Sequence, residues 1–104
     1  MNIRNKVFIS FVFSSTIQQV ERLHDLPNIG KTVEKKLIEV GIETPEQLLE
    51  IGAEQAFIRL ATVDEGACLS MLCGLEGAIQ GIRWHNLDKN RKEELKEFLR
   101  LKRI

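Results

Sequence analysis

The sequence predicts an all-α fold, a compact bundle of five to six short helices, and three observations carry the prediction. Leu, Ile, Ala, Glu and Lys dominate the 104 residues, with two prolines and no tyrosine, a usage that favours helix over strand. Helix start and stop signals recur at short intervals along the chain. Beyond residue 20 no run alternates apolar and polar residues as a half-buried strand does. The length allows one domain around a single core. Apolar residues at 43% and charged residues at 29% exclude a collagen-like or wholly disordered chain. Fifteen Lys and Arg balance fifteen Asp and Glu, which excludes coating of nucleic acid by bulk charge and leaves room only for a local basic site.

Residues 1–20 form an apolar appendage, and the main domain is expected over 21–104. Arg4 and Lys6 precede Val7–Phe13, but this stretch is short for a signal-peptide core and no A-x-A pattern follows it. It is also far below the roughly 20 apolar residues of a membrane span, so no membrane partner is expected. Val7, Ile9, Phe11 and Phe13 alternate as in a strand, while Ile9, Phe13, Ile17 and Val20 recur at helical spacing, and both readings stand. Three of the five phenylalanines lie here. A folded chain must cover such a segment or use it to find a partner.

From Leu23 onward the punctuation is helical. Pro27-Asn28-Ile29-Gly30 reads as a turn; Val33, Leu37 and Val40 follow at helical spacing until Gly41. Thr44-Pro45-Glu46-Gln47 is a capping box with proline at the first helical position, opening a helix with Leu48, Leu49 and Ile51 that ends at Gly52. The next carries Ala53, Ala56, Phe57, Leu60 and Ala61 on one stripe. Ala67 to Gly81 is apolar nearly all round, which places it at the centre of the bundle. The last helix starts near Asp88 and turns Leu95, Phe98 and Leu99 inward.

Leu26 to Leu37 resembles a helix-hairpin-helix motif. Free N–H groups at a helix N-terminus, aided by its dipole, hold a phosphate. On this reading Asn28, Ile29 and Gly30 form the turn, Ile29 anchors it in the core, and Gly30 lets the phosphate approach. Lys31 and Lys35, four apart on one face, each neutralise a phosphate. The motif usually carries glycine where Asn28 stands, and asparagine enters the left-handed conformation less readily, with a side chain in the way. Glu34 also lies among the lysines. The other reading is a tight joint between helices with no DNA contact.

Gly74, Gly77, Ala78 and Gly81 recur at spacings of three and four, leaving one helical face almost bare. Each glycine costs roughly 1 kcal/mol against alanine, which close packing of another helix should recover. Trp84, the sole tryptophan, is expected to plug the gap below. Gly74, Gly77, Gly81 and Trp84 are therefore structural packing residues.

These blocks together resemble the C-terminal domain of the TfoX (Sxy) family of bacterial competence regulators. The resemblance rests on Leu26–Gly30, Val40-Gly41-Ile42-x-Thr44, Gly52-Ala53 with Ala56-Phe57-x-Arg59-Leu60, and above all Leu75–Trp84 leading into Leu87. It covers about four-fifths of the chain and implies a compact helical domain that occurs alone or behind a separate N-terminal domain. That second domain is expected to be absent, since twenty residues cannot hold it, and the family's regulatory role is therefore expected to transfer poorly.

No enzyme is expected. His24 and His85 stand far apart in helix-end or turn contexts, and the carboxylates form no recognisable acid–base pair. Cys68, Cys73 and His85 make a poor metal set, and no cofactor or small-molecule substrate is implied. Cys68 and Cys73, roughly 7.5 Å apart along a helix axis, read as buried free thiols of a cytoplasmic protein. Glu43 to Glu76 holds seven acidic residues and one basic, whereas Arg83 to Arg103 holds eight basic and four acidic. The basic last helix either joins the Asn28–Lys36 turn in a positive patch or pairs with the acidic middle. Two functions follow: weak, non-specific binding of DNA backbone in a regulatory setting, or a protein-interaction module that uses the apolar appendage or the Gly-rich face to form a homodimer or dock on a protein partner.

Overall fold

The computed structural model describes residues 21–102. The appendage at 1–20 lies outside them. The described chain runs through a 3-10 turn at Leu23–Asp25, α1 (Lys31–Glu39), α2 (Pro45–Ile51), α3 (Ala53–Ala61), α4 (Leu69–Gln80), a second 3-10 turn at Trp84–Asn86, and α5 (Lys89–Lys102). No strand occurs among the described residues. The domain is all-α, as the sequence predicts.

Local chemistry sets the boundaries. The Thr44 hydroxyl accepts the Gln47 amide at 3.1 Å, closing the first turn of α2 behind Pro45. Gln47 reaches back one residue further than a capping box requires: its Oε1 accepts the Glu43 amide at 2.6 Å. Gly52, at φ 85°, ends α2 and starts α3, a conformation that costs L-residues but not glycine. Helix α4 opens at Leu69 rather than Ala67, because Cys68 is extended at its N-cap. Gly81 closes α4 in the left-handed conformation at φ 77°.

Helix α4 is the centre, touching α2, α3, α5 and the second 3-10 turn; α1 packs on α3 and the first 3-10 turn. Its residues from Leu72 to Ala78 are all buried, which is what an all-round apolar helix demands. Leu37, Ile42, Leu48, Leu60, Leu72, Leu75 and Leu95 are fully enclosed, each worth about 2 kcal/mol in apolar burial. Of the apolar residues on α2, Leu48 is enclosed while Leu49 is 54% exposed. Cys73 is buried but Cys68 is exposed, correcting the expectation of two buried thiols: the start of α4 at Leu69 leaves Cys68 on the surface.

Candidate functional site

The turn before α1 and the end of α4 form one structure. Asn28 sits at φ 70°, the left-handed region that asparagine tolerates better than other non-glycine residues. Its side chain turns inward. Nδ2 donates to the Ile82 carbonyl at 3.0 Å and the Gly74 carbonyl at 3.3 Å, and Oδ1 accepts the Trp84 amide at 3.2 Å. A primary amide carries two donors and an acceptor, and here all three find backbone partners. Asn28 thus stands where glycine is usual without obstructing the turn.

This also corrects the reading of the small-residue face. What approaches it is the Asn28 turn, not another helix. A Cβ on Gly74 would lie 3.5 Å from the Asn28 Cβ, and one on Gly77 would fall 2.5 Å from its Nδ2. Gly81 takes no part in this packing: space beside it is open, and its positive φ is the reason for glycine. Trp84 contributes its backbone amide to the joint, and its half-buried ring stacks on His85 with centroids 4.2 Å apart.

On the outer side of the turn, Ile29 is buried as the anchor and Gly30 is exposed at the N-cap of α1. No side chain caps the helix. The first amide with a partner is that of Glu34, bonded to the Gly30 carbonyl at 3.0 Å. Those of Gly30, Lys31, Thr32 and Val33 donate to no atom of the described residues. Among the described residues a Cβ on Gly30 would meet nothing within 4 Å.

Lys31 and Lys35 are exposed and join no ion pair among the described residues. Glu34 is drawn aside to His24, Oε1 to Nδ1 at 2.8 Å. That hydrogen bond holds its carboxyl below the usual range. Lys36 is engaged by Asp64 at 3.2 Å.

The basic last helix takes the other course of the two expected. Arg91 of α5 clamps Glu54 of α3 with both guanidinium nitrogens, at 2.9 and 3.0 Å, and bonds Glu76 of α4 at 3.0 Å. Glu76 is itself buried, its second oxygen accepting from Gln80 at 2.6 Å. The positive charge of α5 is thus partly matched by the acidic middle. The partnership escaped sequence reasoning, although a carboxylate inside Leu75–Ala78 signals a need for a cation.

Among the described residues no group of three or more His, Cys, Asp or Glu is placed to hold a metal, and no helix is long and apolar enough to cross a membrane.

A family model and two relatives point to one family. The model of the TfoX C-terminal domain matches residues 19–99. The DNA transformation protein TfoX of Haemophilus influenzae is 39% identical over 80 residues, covering 77% of this chain and 37% of its own length. Protein Sxy of Escherichia coli is 39% identical over 84 residues, covering 81% of this chain and 40% of its own. The chain therefore corresponds to about two-fifths of each. A crystal structure of an uncharacterized protein from Listeria monocytogenes superposes with a TM-score of 0.72 at 52% identity, covering 74% of this chain and 88% of that one. A tetragonal form from the same organism gives 0.71 at 51%, covering 74% and 95%. With the family model spanning residues 19–99 and two relatives 39% identical over about four-fifths of the chain, this chain belongs to the TfoX C-terminal domain family.

Proposed function

We propose that this chain is a small non-enzymatic regulatory module of the cytoplasm that binds DNA backbone weakly through the open N-terminus of α1. The observation that carries the reading is the set of amides from Gly30 to Val33, which among the described residues have no partner, at an exposed corner beside Lys31 and Lys35. Backbone amides and a helix dipole attract phosphate, and such a site reads charge rather than base sequence. Asn28 ties the corner to the end of α4 from behind and keeps its own side chain out of it. The name of one relative, a DNA transformation protein, suits a role near DNA.

A salt titration with labelled duplex DNA tests this. Affinity should fall as salt rises, and Lys31→Glu or Lys35→Glu should abolish binding while the fold persists. Absence of binding at low salt sinks the reading. The alternative, a protein-interaction module without nucleic acid, draws on the exposed Ile38, Leu49, Val63 and Leu101. The glycine-rich face no longer serves it, being filled by the Asn28 turn. A mass that rises with concentration, with no DNA binding, favours that alternative.

A further inference from the structure

An open groove of about 380 Å³ runs beside the amide corner, between the start of α1 and the N-terminal half of α4. Its apolar walls come from Ile29, Val33, Met71 and Leu75, with Trp84 and Arg83 at one side. We propose that this groove receives an unpaired nucleobase, so that the preferred ligand is a single-stranded nucleic acid. The inference rests on the reading of the α1 corner as a phosphate site and names the form of nucleic acid that fits there.

Three observations carry it. The groove and the corner are continuous: Ile29 immediately precedes the N-cap Gly30, and Val33 lies in the first turn of α1. A strand held by phosphate at the corner therefore has its bases beside the groove. The groove also holds the chain's sole tryptophan, whose ring is steadied by the stacked His85. Unpaired bases stack on such rings whatever their identity, which strengthens binding by roughly ten-fold to a hundred-fold. Finally, charge is complementary. Among the described residues Arg83 is the one charged residue lining this groove, whereas the comparable groove near Phe57 and Leu99 has Asp64 and Glu65 against a single Lys102 in its wall.

Because Trp84 is the only tryptophan, its emission reports on the groove alone. A thymidine decamer, a uridine decamer and a duplex of equal length are titrated against the whole chain. The expected result is quenching by either single strand, with affinity at least about ten-fold above that of the duplex at equal salt. Met71→Glu, which places a carboxylate in the groove away from the corner, should remove the quenching and the preference but leave weak duplex binding. Measured with labelled strands, Trp84→Phe should keep the preference and Trp84→Leu should lose it. Equal binding of single strand and duplex without a change in emission overturns the groove and leaves the corner standing. Binding of neither overturns both. An emission change that follows protein concentration without nucleic acid assigns the groove to a second copy of this chain and also overturns the proposal.

Discussion

Asn28 and Gly77 stand so close that a methyl group on Gly77 would lie 2.5 Å from the Asn28 Nδ2. The same methyl would fall 2.7 Å from the Ile82 carbonyl oxygen and 3.2 Å from the Trp84 amide nitrogen. Two of these three neighbours are backbone, so relief requires moving the chain between Ile82 and Trp84.

Gly77→Ala should therefore destabilise the domain by about 1–3 kcal/mol through overpacking, outweighing the gain of roughly 1 kcal/mol in helix propensity. Gly74→Ala is the control. Its methyl would make an ordinary contact with the Asn28 Cβ at 3.5 Å, so it should keep the propensity gain and be neutral to about 1 kcal/mol stabilising. Urea midpoints of the two variants decide the matter, and equal losses would show that the Asn28 contact is not what excludes a side chain.

Asn28 itself should be worth more than its propensity suggests. Asn28→Ala leaves two carbonyls and one amide without their partner, each worth about 1 kcal/mol, and adds a left-handed alanine at about 1 kcal/mol. The expected loss is about 2–4 kcal/mol in chemical unfolding. Asn28→Gly should lose less, because glycine meets the positive φ without strain. Asn28→Asp should be the worst at neutral pH, since a carboxylate would face the Gly74 and Ile82 carbonyls. It should recover in acid, where the protonated group donates again.

These contacts explain which parts of the molecule were legible in the sequence. Thr44-Pro45, Gly41, Gly52 and the stripe through Ala56, Phe57 and Leu60 act over one or two turns, so local spacing reveals them. Asn28 acts on residues 46 to 56 positions away. Its side chain looked like an obstruction because nothing near it in the chain shows where the amide can bond. The same holds for the small-residue face, whose bareness was evident while the turn that fills it was not. The course of α5 was undecided for a related reason. Charge runs state what can pair, and only the fold shows that Arg91 reaches Glu54 and Glu76.

That ion cluster should contribute to the loss of stability in acid, beside the lowered carboxyls of Glu34, Asp64 and Glu97. The Arg91 guanidinium holds the Glu54 carboxyl below its ordinary value of 4.5. A carboxyl depressed in the folded state binds fewer protons than in the unfolded chain, so its contribution is complete above pH 4.5 and is lost as pH falls through the lower folded value. Arg91→Ala should flatten this part of the stability–pH curve. At neutral pH it should cost about 1–3 kcal/mol, because Glu76 is left buried without a cation. Adding Glu76→Gln should recover part of that loss, since a neutral amide keeps a bond to Gln80 and removes the unpaired charge. Thermal unfolding of the single and double variants between pH 3 and 7 checks both the sign and the recovery.

The last prediction separates the α1 corner from the basic face of α5. Both carry exposed lysines: Lys31 and Lys35 on α1, Lys89 and Lys96 on α5. If phosphate is held by the open amides from Gly30 to Val33, only the first pair lies within one turn of those amides. Each phosphate neutralised steepens the dependence of log K on log salt by about 0.9. Lys31→Ala or Lys35→Ala should therefore reduce that slope by about one and weaken binding of all sequences alike. Lys89→Ala and Lys96→Ala should leave slope and affinity as they are. The opposite pattern, with the α5 variants losing affinity and the α1 variants unaffected, would move the contact to the basic face of α5. In that case the free amides would be hydrated ends of a helix whose turn serves only to join α1 to α4.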